Sequence, residues 1–175
     1  MAQLFKTLFS IFIVFFTAQC SFAALSGSVN YKIPIEYKNM NEEELSSKAE
    51  IYYNNALKNT DKKLNDDISE ALLLYNALSN KNPNNIIYSL RAGHLYDILG
   101  KNRLAKGCFC KARGIAPTRP EPYFYFGEYY FKHQQYRMAL KMYNRAYEYG
   151  YSNHSLTISR LKELSLILGN KEIAK

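Results

Sequence analysis

Apolar positions in the second half of this chain recur at helical spacing rather than alternating as in a strand. Ala105, Phe109 and Ala112 stand at i, i+4 and i+7, a single stripe on a helix. Extending this pattern predicts helices at about 42–58, 66–80, 86–99, 103–114, 120–133, 136–149 and 154–168. Pro83 and Pro117 follow two of these segments, where a missing N–H and a fixed φ stop a helix. Upstream the pattern changes. Lys6 precedes a short apolar run from Leu8 to Phe16, and Ser21-Phe22-Ala23 places small residues three and one before a cut ahead of Ala24. That order is expected of a secretory signal peptide over residues 1–23. An uncleaved anchor is the alternative, but the run is far short of the roughly 20 residues that span a bilayer. Cys20 is preceded by Gln19 rather than a small residue, which disfavours lipidation. Residues 24–41 combine Ser, Gly and Pro34 and read as an extended or disordered spacer, or an arm lying on the first helices.

The helices repeat. A shift of 34 residues brings Gly93 onto Gly127, Tyr96 onto Tyr130, Ala105 onto Ala139, Phe109 onto Tyr143 and Ala112 onto Ala146. One step upstream, Ala71, Tyr75 and Pro83 fall on Ala105, Phe109 and Pro117. The runs Ser89-x2-Ala92-Gly93-x2-Tyr96 with Ala105-x3-Phe109, and Tyr123-x2-Phe126-Gly127-x2-Tyr130 with Ala139-x3-Tyr143, follow the pattern of a tetratricopeptide repeat. From about residue 42 onward the chain therefore resembles the tetratricopeptide-repeat family. The resemblance implies an all-α fold, an α-solenoid of helical hairpins in which each unit buries its face on the next. It divides the chain into three hairpins over 42–153, with the best repeats at 86–119 and 120–153, then a capping helix and tail over 154–175. Glycine and alanine at the close crossings are expected to pack helix against helix. The first repeat departs from the pattern. Ala49 to Ala71 spans 22 residues where Gly93 to Ala105 spans 12, and the excess is placed in the polar loop 58–65.

Little here suggests catalysis. No G-x-S-x-G, P-loop or H-E-x-x-H occurs. His94, His133 and His154 lack ligand spacing, so no metal and no cofactor is expected. Glu42-Glu43-Glu44 and Asp66-Asp67 stand at helix starts, where carboxylates favour the helix dipole. Cys108 and Cys110, two apart on a helix, point away from each other. Cys108 is expected in the core and Cys110 outward. Asn153-His154-Ser155 is only a short glycosylation match.

Charge adds one feature. The 175 residues carry 23 Lys and Arg against 15 Asp and Glu, a formal charge of +8, and the excess lies in residues 86–153. It concentrates on the second helices as Arg103, Lys106, Arg137, Lys141 and Arg145. By resemblance those helices form the convex face. It is either a solvated surface or a contact for an anionic envelope surface such as phospholipid or cell-wall polymer. Specific nucleic-acid binding is not expected. The resemblance lines the concave groove with first-helix residues Leu90, His94, Asp97, Phe124, Glu128 and Phe131, flanked by Ile87, Ile98, Glu121 and Lys132. Apolar and aromatic side chains beside acids suit a peptide or helix with apolar anchors and a basic residue. The protein's own N-terminal arm is the competing occupant. These readings converge on a non-enzymatic scaffold that binds another protein outside the cytoplasm, periplasmic in a host with two membranes and secreted otherwise. A basic surface-associating protein is the alternative.

Overall fold

The computed structural model describes residues 33–58 and 63–169. The signal-type segment 1–23, residues 24–32 of the spacer, the loop residues 59–62 and the tail 170–175 lie outside the described residues. Within them the chain forms α1 (Ile35–Asn39), α2 (Glu42–Lys58), α3 (Lys63–Lys81), α4 (Ile86–Ile98), α5 (Asn102–Ile115), α6 (Pro120–Lys132), α7 (Tyr136–Glu148) and α8 (Ser155–Leu168). A 3-10 turn, Tyr151–Asn153, precedes α8. No strand occurs among the described residues. The pairs α2/α3, α4/α5 and α6/α7 pack as antiparallel hairpins, and each second helix packs on the first helix that follows it.

Local chemistry sets the helix ends. Asn41 and Glu44 exchange hydrogen bonds of 2.9 and 3.0 Å at the start of α2, a capping box that satisfies two backbone donors. Asn85 caps α4 through the Ile87 N–H, and Pro120 opens α6 where a missing N–H costs nothing. The turns inside the second and third hairpins each need one left-handed residue. Gly100 supplies it at φ 67°, and its equivalent Gln134 adopts φ 57° despite its Cβ.

Three differences from the sequence reading emerge. First, α1 is a helical turn within the stretch expected to be extended. The Pro34 carbonyl accepts from the Tyr37 and Lys38 N–H groups, so the proline ends the extended run and opens a turn. Tyr37 is buried and donates to Glu70 at 3.0 Å, which ties the turn to α3. Second, the ten extra residues of the first hairpin go mainly into its helices. α2 has 17 residues against 13 in α4, and α3 has 19 against 14 in α5. Third, the first hairpin keeps the repeat pattern after all, at an offset of 44. Ala49 and Tyr52 stand where Gly93 and Tyr96 stand, and fully buried Ala49 fills the place of the glycine.

The glycines are packing residues. A Cβ on Gly93 would stand 2.8 Å from Phe109 Cε1, and one on Gly127 would stand 2.8 Å from Tyr143 Cε1. Ala71, Ala105 and Ala139 are fully buried on the opposite helices. One continuous core runs from Tyr37 to Leu164.

Candidate functional site

Side chains of one recurring set link first helix to first helix at two junctions, α2 to α4 and α6 to α8. At the first junction Arg91 of α4 reaches Glu50 of α2 at 3.1 Å and lies 4.4 Å over the Tyr53 ring. Tyr75 of α3 donates to the same carboxylate at 2.8 Å. At the last junction Arg160 of α8 binds both oxygens of Glu128 at 3.0 and 3.2 Å and lies 4.2 Å over Phe131. Tyr143 donates to Glu128 at 2.5 Å. Each set holds a carboxylate, an aromatic ring, a phenol and a guanidinium that crosses to its neighbour. Fork-to-carboxylate geometry and stacking on a ring are what arginine does better than lysine.

The middle junction breaks the set. The repeat offset puts His94 in the place of Glu50 and Glu128, Asp97 in that of Tyr53 and Phe131, Phe109 in that of Tyr75 and Tyr143, and Tyr125 in that of Arg91. Glycine at 93 lets Phe109 approach, but no hydroxyl and no guanidinium follows. A concavity of about 260 Å³ opens here, walled by His94, Asp97, Phe109, Phe124, Tyr125, Glu128, Tyr129, Lys132 and Leu156. His94 shares a 2.6 Å hydrogen bond through Nδ1 with the Tyr53 hydroxyl. Burial lowers its pKa below the usual imidazole value, which favours the neutral ring at pH 7. Asp97 is 7% exposed and takes Lys132 at 2.8 Å on one oxygen and His133 at 2.6 Å on the other. Burial alone would raise its pKa, but these two hydrogen bonds prevail and hold the carboxyl below its ordinary range. Tyr125 lies close enough to Tyr53 and Arg91 to interact electrostatically with both.

Four of the six expected groove residues, His94, Asp97, Phe124 and Glu128, meet in this concavity. Two do not. Leu90 is a core residue, 1% exposed, because α4 packs against α3, α5 and α6 and its groove edge is covered. Phe131 lies under the Arg160 guanidinium and beside Tyr136, away from the concavity. Phe124 itself is half-buried, with His154 4.8 Å and Tyr151 5.8 Å from its ring centre. The turn before α8 therefore covers part of the expected aromatic stripe. Tyr53, Arg91, Tyr125 and Arg160 carry the junctions and were not legible as a group. Comparing positions 91 and 125, or 94 and 128, reveals the mismatch only once the contacts show that these columns matter.

On the second helices α5 and α7, Arg103, Arg137, Lys141 and Arg145 are exposed. Arg145 pairs with Glu148 at 3.1 Å, and the Lys106 ammonium lies 5.8 Å from the Tyr129 and Tyr130 ring centres. A shallow depression of about 340 Å³ lies between Arg137, Leu140, Lys141, Asn144, Arg145 and Glu148. Cys108 packs against the core, where burial pushes its thiol up to about 11. Cys110, expected to face outward, is half-buried against the same core. Among the described residues no three His, Cys, Asp or Glu side chains gather as a metal site, and no helix is long and apolar enough to cross a membrane.

No protein-family model and no curated protein matches the chain. Solved structures share its fold. A thermophilic TPR protein of Thermus thermophilus, TTC0263, aligns over 70% of this chain with a TM-score of 0.62 and 21% identity. This chain spans 64% of that one. MamA protein aligns over 74% of this chain and 68% of its own, with a TM-score of 0.52 and 21% identity. The first TPR of Spaghetti (RPAP3), bound to the HSP90 peptide SRMEEVD, aligns over 71% of this chain and 98% of its own, with a TM-score of 0.55 and 22% identity. Identities this low speak for fold alone, and the fold is an all-helical solenoid of tetratricopeptide-type hairpins.

Proposed function

We propose that this chain is a non-enzymatic interaction module that holds a peptide or helix of another protein in its concave groove, outside the cytoplasm. The concavity at the middle junction is the observation that carries the reading. It joins aromatic walls to a few convergent polar groups, the composition of a recognition pocket rather than of a packed core. One structural neighbour, the Spaghetti TPR, is bound to a peptide, so the fold is suited to this mode. The export part rests on the small-x-small site before Ala24, and N-terminal sequencing of the protein recovered from its host should begin within two residues of Ala24. Retained Met1 in a soluble cytoplasmic pool would overturn it.

Groove binding is tested by Phe124→Ala. Truncating an aromatic anchor at an interface costs about 2 kcal/mol or more. Capture of partner proteins from host extract, quantified by mass spectrometry, should fall at least tenfold with helix content unchanged. The pair Arg137→Glu and Lys141→Glu should leave capture nearly intact. The exposure of those cations beside a shallow depression supports the second reading, docking on an anionic surface. Under that reading the ranking reverses, and binding to anionic vesicles drops steeply as salt rises.

A further inference from the structure

The three junctions of the concave face are equivalent positions of one repeat, yet only the outer two contain a guanidinium. Arg91 lies on Tyr53 and binds Glu50. Arg160 lies on Phe131 and binds Glu128 through two nitrogens. Between them Tyr125 replaces the arginine, and a concavity with room for a long side chain remains.

We propose that the middle junction is a receiving slot for an arginine side chain of the partner polypeptide, which supplies from outside the group that the flanking junctions supply from within. This rests on the groove reading above. The walls carry what a guanidinium needs. Phe124, Tyr125 and Tyr129 offer aromatic surface and Asp97 offers a carboxylate, while Glu128, already held by Arg160 and Tyr143, stands at the edge of the wall. Lys132 now holds one oxygen of Asp97, but its side chain is 57% exposed. Trading a half-solvated ammonium for a forked guanidinium therefore costs little. The other oxygen stays with His133. A neutral His94 does not repel the incoming cation. An acidic side chain would compete with Asp97 for Lys132 and leave one of the two carboxylates without its ammonium. An apolar one would strip water from the half-solvated Lys132 ammonium and offer it no further hydrogen bond.

The test uses an array of random-sequence peptides probed with the full chain. Each binding peptide is resynthesised with its arginines changed one at a time to citrulline, which keeps the shape and removes the charge, and to lysine. Binding peptides should contain one arginine whose change to citrulline weakens binding at least tenfold, with lysine losing at least threefold. The double variant His94→Glu with Tyr125→Arg restores the carboxylate and the guanidinium of the outer set internally. It should lose binding of the same peptides at least tenfold while melting no lower than the native chain. Peptides that bind equally well with citrulline would overturn the slot and leave the groove reading standing. An array with no binding peptides would remove the groove reading and the slot with it. If the double variant does not fold, the citrulline comparison on the native chain decides.

Discussion

At the scale of single residues, the repeat is enforced by contacts of a few ångströms. The Gly127 backbone lies so close to Tyr143 that a Cβ would stand 2.8 and 2.9 Å from two ring atoms, and that ring is fully buried and cannot swing away. Replacing a helical glycine recovers up to about 1 kcal/mol of propensity. Forcing side-chain atoms into a filled crossing costs roughly 1–3 kcal/mol, and with all of leucine's added volume the steric cost prevails. Gly127→Leu should therefore lower the denaturation midpoint clearly, whereas Lys141→Leu on the exposed side of α7 should barely move it. Equal midpoints would contradict the packing. His94 makes a second residue-level expectation. Its pKa is lowered in the folded state from a usual value of 6.5, mainly by burial. The unfolded chain thus takes up the proton first on acidification, and stability falls as pH drops below about 6.5 until the folded form also protonates. His94→Gln should flatten the decline in stability that begins below about pH 6.5 in denaturant titrations. An unchanged slope would place the effect elsewhere.

At the scale of elements, a hairpin repeat can absorb insertions without losing register. The first hairpin lengthens both helices by about a turn and keeps Tyr75 on Glu50, the same pairing that the third hairpin makes between Tyr143 and Glu128. The final helix takes the position of a further first helix. Leu161 and Leu164 are buried, while Leu166 is 84% exposed. Arg160 then fastens α8 to α6. Its pair with Glu128 is about one quarter to one third exposed, so solvent screens part of the attraction. Arg160→Ala should cost about 1 kcal/mol. Arg160→Lys should recover less than half of that, because an ammonium can neither fork onto both oxygens nor stack on Phe131. Full recovery with lysine would reduce the contact to simple charge.

At the scale of the whole molecule, the solenoid separates two chemistries. The second helices α5 and α7 carry the exposed Arg103, Arg137, Lys141 and Arg145, while between first helices Arg91 pairs with Glu50, Lys132 with Asp97 and Arg160 with Glu128. Among the described residues, the middle junction opens a recess where the flanking junctions place Arg91 and Arg160.

The sequence by itself determined the architecture. The 34-residue spacing of Gly93 and Gly127, of Ala105 and Ala139 and of Tyr96 and Tyr130 specifies hairpin packing, because those residues meet neighbours close in sequence at fixed helical offsets. Helix bounds from 86 to 168 follow within about a residue for the same reason, since caps and prolines act locally. The contents of the groove depended on tertiary structure. Leu90 and Phe124 occupy equivalent positions in the repeat, yet one is sealed in the core and the other walls a recess, because their helices have different neighbours. Phe131 reads as an exposed anchor until Arg160, 29 residues later, covers it. The ten-residue insertion hid the first hairpin's register for a similar reason: an offset of 44 shows only when Tyr75 is seen to reach Glu50. Helix-forming contacts are local and leave a period in the sequence. Groove contacts join side chains of different repeats, and only the three-dimensional stacking of the helices determines which of them meet.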